Sequence, residues 1–250
     1  MLAQCVASGL QQKNHRLVFS FARSQSEILE AQRLRYKVYA DEMGAFLTSN
    51  NGFDQDGFDA FCDHLIVRDC YDGKVVATYR LLDPDMSKEA GGYYAAGEFD
   101  LSRLSHLFDN TVEIGRACVH RDYRHDGTIA MLWAGLAQYM QMYRYQHMIG
   151  SVSMSMADGG HLAASLFKKL QPDYLAPAEY HVFPHCPLPL HALKLDMQVA
   201  CPSLIKGYLR LGAFIGGEPA WDPHFNTANM PIFLSLTHMN RRYAALNYNN

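Results

Sequence analysis

One run, VEIGRACVHRDYRHDGTIAMLWAGLAQYMQMYRY from Val112 to Tyr145, constrains the fold more than any other part of the chain. It opens as an apolar strand-like stretch and passes through a basic turn. Ile129, Leu132, Trp133, Leu136, Met140 and Tyr143 then recur at spacings of three and four, which place one apolar stripe on a helix. A strand that leads straight into a long amphipathic helix belongs to a layered α/β architecture in which the helix covers the sheet.

The join between strand and helix has the makings of an anion site. Asp126 and Thr128 suit a helix start, Gly127 lets the backbone approach a ligand, and Arg121 and Arg124 stand just before them. Free N–H groups and the positive end of the helix dipole favour a phosphate there. The spacing follows R-x-x-G-x-[GA] through Arg124 and Gly127, but Ile129 occupies the last position and Ala130 comes one residue late. On spacing alone, a solvated helix cap explains the turn better than a phosphate cradle does.

The chain on either side supports a full core. Its 250 residues are 49% hydrophobic, enough for one large domain or a domain with an extension. Net charge is −3 with the basic residues dispersed, which argues against a nucleic-acid partner. No apolar run approaches the roughly 18 residues of a membrane span, and the start MLAQCVASGLQQKNHR lacks a basic n-region and a long h-region. A cytoplasmic protein is expected. Leu2-Ala3-Gln4-Cys5 imitates a lipoprotein box without the hydrophobic stretch that such a box follows. Cys5, Cys62, Cys70, Cys118, Cys186 and Cys201 form no C-x-x-C pair and read as reduced thiols, and Cys118-Val119-His120 and His181-x-x-x-His185 complete no four-ligand set, so no metal is expected.

Residues 1–15 are predicted to be a flexible N-terminus and 16–250 a single domain, with about 171–250 as a C-terminal extension. Leu17 to Phe21 reads as a strand. A helix capped by Ser26 carries Ile28, Ala31, Leu34 and Val38 on one face and ends at Gly44. The Asn-, Gly- and Asp-rich stretch from Thr48 to Cys62 is a loop. His64 to Arg68 and Lys74 to Leu82 form a hairpin through Asp72-Gly73. Asp83-Pro84 ends that hairpin, a loop covers Lys88 to Ala96, Phe99 to Leu101 adds a short strand, and Ser102 caps a brief helix through Phe108. Beyond the central helix, a strand over Met148 to Met156 pairs beside Val112 to Val119, followed by a helix from about His161 to Leu170. A proline-rich cover spans Gln171 to Pro202, a short helix runs from Leu204 to Leu211 and ends at Gly212, and a last strand lies near Pro231 to Leu236.

The order of these motifs resembles the GNAT acyltransferase superfamily, in which an acyl carrier's pantetheine lies along a strand and its phosphate sits on the following helix start. The segments LRYKVYADEMGA, DGFDAFCDHLIV, VATYRLL, EIGRACVHRDYR and KGYLRLGAFIGGEPAWDPHFNTANMP sharpen this. They are similar to the ornithine lipid N-acyltransferase family, whose members are often labelled haemolysin-like. The resemblance implies a GNAT-type α/β fold with a mixed central sheet flanked by helices. It also implies transfer of a 3-hydroxyacyl chain from acyl carrier protein to the α-amino group of L-ornithine, giving lyso-ornithine lipid. No cofactor would be bound, because acyl carrier protein brings its own phosphopantetheine thioester. The alternatives are the same fold acylating glycine, lysine, tyrosine or homoserine lactone, and a non-catalytic acyl-carrier or membrane-surface binding protein. A one-chain amphiphilic product is compatible with transient contact at the inner-membrane surface, although no basic amphipathic helix marks an anchor.

Each candidate site residue carries a plainer reading beside the functional one. Glu113 and Arg116 lie three apart on a strand, which in regular geometry sends them to opposite faces. A β-bulge at Gly115 brings them together and opens the strand pairing for pantetheine. Without the resemblance an edge-strand ion pair serves equally well. The related acyl-homoserine lactone synthases carry an E-x-x-R on this strand near the amine, which makes Glu113 the candidate base for an ammonium that must lose a proton before it attacks. Asp56 and Asp59 of DGFD match the D-x-x-D of those synthases and attract a cationic substrate, or else they simply form a turn. Arg35 and Arg80 either hold the amino acid's carboxylate with Arg116 or brace the two aspartates. On the donor side the resemblance points to Cys118, Val119, Arg124, Asp126, Gly127 and Thr128. Arg121, Arg124, Arg144, Lys168 and Lys169 suggest a basic rim for the acidic acyl carrier protein, and Trp221, Asp222, Asn226 and Asn229 suggest an acceptor or acyl pocket.

Overall fold

Leu17–Phe21 forms strand β1, with only Leu17 fully buried. Helix α1, Gln25–Tyr36, is capped by Ser24, whose side chain accepts from the Glu27 amide, so the predicted cap at Ser26 lies two residues late. Ser26 instead hydrogen-bonds the Ser24 hydroxyl. The helix continues as a π-helical turn over Lys37–Glu42, which re-phases its last side chains, and the chain turns at Gly44 with φ +72°. Residues 16–45, 47, 51–124 and 127–236 are described by this computed structural model. The predicted N-terminal segment 1–15 lies outside the described residues.

β2 (Asp63–Asp69) and β3 (Val75–Leu82) form the expected hairpin, and Gly73 supplies the positive φ its turn requires. Asp83-Pro84 does more than end β3. Asp83 accepts from the Asp85 and Met86 amides and starts α2, Pro84–Glu89, which was predicted as connecting chain. β4, Phe99–Asp100, pairs with β7, Phe183–Pro184. After β4 comes a 3₁₀ segment, Ser102–Asn110, in which Ser102 is not a cap, since its own amide donates to Asp100.

β5 (Thr111–Val119), α3 (Thr128–Tyr143), β6 (His147–Ser155) and α4 (His161–Tyr174) follow in order. On α3 the buried stripe runs through Leu132, Leu136, Tyr139 and Met140, so Tyr139 replaces Tyr143, which is exposed. Tyr139 is held inside by the bond its hydroxyl donates to Asp63. α4 continues through Pro172, past the predicted end at Leu170. α5, Ser203–Leu211, stops at Gly212 with φ +96°. β8 (Phe214–Ile215) and β9 (Ala220–Asp222) were not expected, and β10 spans Thr227–Ser235.

The main sheet has the order β1-β2-β3-β5-β6-β10-β8, with β9 also on β10. Among the described strands β5 and β6 pair in parallel and the other pairs are antiparallel, which makes the sheet mixed. Leu65, Tyr79, Ile114, Leu136, Phe167 and Met230 fill the core on the face under α3 and α4. At ~1.5–3 kcal/mol per large apolar side chain, this burial is the main force holding sheet and helices together. The opposite face is covered by α1 near Ile66 and by the 93–108 region near Ile149 and Phe233, against which Tyr180 of the proline-rich cover stacks at 5.0 Å.

Candidate functional site

The two parallel strands separate partway along their length. β5 and β6 pair from Thr111 with His147 to Ile114 with Gly150, and pairing then stops, while β6 stays bonded to β10 as far as Ser155. At the last paired position a Cβ on residue 150 would collide with the Ile114 carbonyl oxygen, so only glycine permits the approach. Beyond that point Ala117, Cys118 and Val119 on one strand and Ser151, Val152 and Ser153 on the other line a cavity of about 640 Å³. A fork in a sheet exposes strand amides and carbonyls that a sheet interior would pair, and those groups can bind an extended ligand.

The fork has a second cause on β5. Thr78 pairs with Cys118 but Arg80 pairs with Gly115, so β5 holds one residue more than β3 between the two pairs. This is the bulge predicted at Gly115. Its strained member is Arg116, at φ +51°, a region that non-glycine residues rarely occupy. The Ala117 carbonyl, turned out of the ladder, accepts from the Tyr39 hydroxyl at 3.0 Å.

The bulge directs Arg116 into a network of charges. Its Nη2 lies 2.9 Å from Asp56 and its Nε 3.2 Å from Asp54, and its guanidinium stacks on Tyr94 and Phe225. Arg35 is wholly buried. It donates to Asp54 at 2.7 Å and to both oxygens of Asp59 at 2.8 and 3.0 Å. Arg80 reaches Asp56 at 2.6 Å. Burial works to raise the Asp56 pKa, but Arg80 and Arg116 outweigh it and hold the carboxyl below its usual range. His64 is pushed toward its neutral form by burial and by Arg35. Asp56 and Asp59 also form a reciprocal cap on the 3₁₀ turn Gly57–Phe61, so the DGFD motif folds its own loop. Arg35, Asp56 and Asp59 are absent from the cavity wall, whereas Arg80 and Arg116 are part of it.

Glu113 stands one residue before the fork's apex and on its wall. Its oxygens accept from the Tyr94 and Ala95 amides at 2.6 and 2.7 Å. Burial pushes its pKa up to about 7 against the pull of those amides and of Arg80. Glu113 and Arg116 share the cavity without forming an ion pair with each other. A second carboxylate faces the same space. Glu98 accepts from Asn229 Nδ2 at 3.0 Å and Ser151 Oγ at 3.4 Å, and burial followed by the neighbouring Asp222 pushes its pKa up to about 7. Among the described residues, neither Glu98, Glu113 nor Asp222 has an ion-pair partner.

At the open end of the fork, Val119 and Arg124 belong to the wall, and Cys118 is a buried thiol whose pKa burial raises. Arg124 is already engaged, donating to Glu42 at 2.6 Å and to the Val119 carbonyl at 3.3 Å. Gly127, at φ +73°, is the N-cap of α3 and offers no side-chain bond. The Thr128 hydroxyl behind it is buried and has no hydrogen-bond partner among the described residues. Asp126 lies outside the described residues. Arg144 caps the far end of α3, a helix roughly 24 Å long at 1.5 Å per residue, so it stands at the opposite end of that helix from the turn that carries Arg124. Of the proposed aromatic and polar pocket, Asp222 and Asn229 line the cavity, whereas Trp221 and Asn226 are exposed outside it.

A family model described as an acetyltransferase (GNAT) domain matches residues 34–134. An L-ornithine N(alpha)-acyltransferase of Rhodobacter capsulatus is 33% identical over 89% of this chain and 91% of its own length, and one of Rhizobium meliloti is 34% identical over 91% and 82%. The chain belongs to the L-ornithine N(alpha)-acyltransferase family. Solved structures agree on the fold. FeeM, an N-acyl amino acid synthase from uncultured soil microbes, matches with a TM-score of 0.54 at 10% identity over 89% of this chain and 91% of its own. The acyl-homoserine lactone synthase LasI matches with 0.52 at 13% over 88% and 90%.

The cavity brings together an open strand edge and carboxylates poised near neutrality, whereas Gly127 and Thr128 at the start of α3 are not part of its wall. Sequence reasoning missed two residues, one in the charge network and one on the cavity wall. Asp54, which joins Arg35 to Arg116, looked like one more acid in a polar loop. Glu98 followed the small residues of GGYYAAGEFD, where no periodicity marks which side chains turn inward.

Proposed function

We propose that this chain transfers a 3-hydroxyacyl chain from acyl carrier protein to the α-amino group of L-ornithine, giving lyso-ornithine lipid. The observation that carries the reading is the fork of β5 and β6 opening immediately beyond Glu113, in a chain that belongs to the ornithine acyltransferase family. The phosphopantetheine arm would enter from the open end, with its phosphate at the Gly127 and Thr128 amides and its thioester beside residues 117–119. Glu113, ionised, accepts a proton from the α-ammonium, directly or through a water. The freed amine attacks the thioester carbon, strand amides near Val119 stabilise the oxyanion, and collapse of the adduct forms the amide and expels the pantetheine thiolate, which takes up a proton. Arg35 and Asp59 act at a distance in this reading, holding the loop against which Arg116 is braced.

The deciding experiment mixes purified protein, 3-hydroxyacyl carrier protein and candidate amines, and analyses the lipid by mass spectrometry. The expected product is N-acylated ornithine. Acylated glycine, lysine, tyrosine or homoserine lactone in its place would move the acceptor assignment, and no acyl amide with any amine would remove the enzymatic one.

A further inference from the structure

Glu98 has no part in the steps above, yet its surroundings are specific. It turns into the cavity that holds Glu113 and is fixed on two sides by residues from different strands, Ser151 on β6 and Asn229 on β10. Asn229 is itself buried, and its carbonyl oxygen accepts from the Thr227 hydroxyl, which leaves its amide group aimed at Glu98. Asp222 lines the same wall close enough to raise the Glu98 pKa, and it is held by the His224 and Phe225 amides rather than by a cation.

The nearby arginines form no ion pair with either carboxylate, although the charge of Arg116 pulls the Glu98 pKa down against the rise caused by burial and Asp222. Arg116 is paired to Asp54 and Asp56, and Arg80 to Asp56. A half-buried carboxylate with dipolar partners, a second carboxylate beside it and no cation of its own is destabilised as the protein stands. It is relieved when a ligand brings a positive charge. An α,ω-diamino acid carries such a charge at the end of its side chain, separate from the ammonium that must be deprotonated for attack.

We propose that Glu98, oriented by Asn229 and Ser151 and assisted by the charge of Asp222, binds the side-chain ammonium of the acceptor and so sets the preference for a diamino acid over a neutral one. This inference rests on the acyl transfer to ornithine argued above. Glu113 and Glu98 then divide the work, one receiving the proton of the reacting nitrogen and the other keeping the second nitrogen charged and distant from the thioester. An ammonium held in this way cannot act as the nucleophile. The same contact therefore directs the acyl chain to the α-nitrogen.

The test compares ornithine with norvaline, which has the same carbon skeleton without the terminal amine, using the complete protein and 3-hydroxyacyl carrier protein. Wild type is expected to favour ornithine in kcat/KM by about 30-fold or more, the scale of a buried charge-assisted contact. Glu98→Gln should bring that ratio within about threefold of unity, chiefly through a higher KM for ornithine, and Asn229→Ala should move it in the same direction. A wild-type enzyme that acylates both amino acids equally well overturns the proposal without any variant being made. So does a Glu98→Gln protein that loses ornithine and norvaline turnover in parallel, or one that keeps the wild-type ratio. If wild type acylates some other amine and neither of these, the acceptor assignment fails first, and that outcome is distinct from a failed role for Glu98.

Discussion

Two sets of charges meet at the cavity, and they are built in opposite ways. Around the 51–62 loop, Arg35, Arg80 and Arg116 are matched against Asp54, Asp56 and Asp59, and each side chain is paired with one of opposite sign. On the other wall, Glu113, Glu98 and Asp222 have amides and hydroxyls as partners and no cation among the described residues. The first set spends its charge internally, so it can fix a loop and a strained strand but has little left for a ligand. The second keeps its charge available, and burial holds two of its members near pKa 7, where a carboxyl group can exchange protons with an amine.

The comparison is broken most severely at its two extremes. Glu113→Gln should lower kcat/KM by about 10²–10⁴-fold, the usual range for a positioned base. Its melting temperature should move little, because losing a buried charge offsets placing an amide N–H₂ against one of two backbone donors. Donor binding, read by titration with acyl carrier protein, should survive. Near-normal turnover in this variant would end its role as base. Arg35→Ala should do the reverse and cost about 3–5 kcal/mol of stability in denaturant unfolding, since Asp54 and Asp59 are left as buried acids without their main counter-ion. A fully stable Arg35→Ala protein with selectively weakened ornithine binding would place Arg35 in the acceptor site after all.

Smaller effects sharpen the same contrast. Gly150→Ala should cost about 1–3 kcal/mol, because the new methyl meets the Ile114 carbonyl and the paired part of β5 and β6 must shift. The loss should appear both in thermal melting and in turnover. The pH profile should follow the carboxylates. Since Glu113 must be ionised to accept a proton, its contribution makes kcat/KM rise about tenfold per pH unit below pH 7 and level off above it, and Glu98, also near 7, steepens that rise when ornithine is the acceptor. Stability runs the other way. A carboxyl whose folded pKa is raised from 4.5 to about 7 favours the folded state most below pH 4.5, and that contribution is lost as pH rises to about 7. Glu113→Gln should flatten both trends. The mildest change is Thr128→Val, which removes a buried hydroxyl with no hydrogen-bond partner among the described residues. Stability should hold or rise slightly, while KM for the acyl carrier substrate increases a few-fold. An unchanged KM would argue against a phosphate at that helix start.

Much of the sheet and the main helices could be read in the sequence because their signals are local. Alternation placed β1, strand-like runs joined through Asp72-Gly73 placed β2 and β3, helical spacing placed α3, and Gly212 ended α5 where expected. Proline misled in two directions, since Pro84 begins a helix and Pro172 sits inside one, and both depend on which amides the neighbouring turn leaves unbonded. The bulge was legible because Glu113 and Arg116 share a strand at a spacing that regular geometry cannot reconcile. The pairings were not. Nothing in DGFD shows that its acids face Arg35 and Arg80, and nothing near Glu98 shows that β6 and β10 will bring Ser151 and Asn229 to it, because both depend on contacts between residues far apart in the chain.

Gly150 sits at the throat of the fork, and the tight approach there acts as a doorstop. In the proposed reading, an arm sliding in from the open end would halt where the two strands first touch, whatever its cargo. The reactive carbon would then be presented at one depth beside residues 117–119, and any measuring of chain length would fall to the walls around the acyl tail.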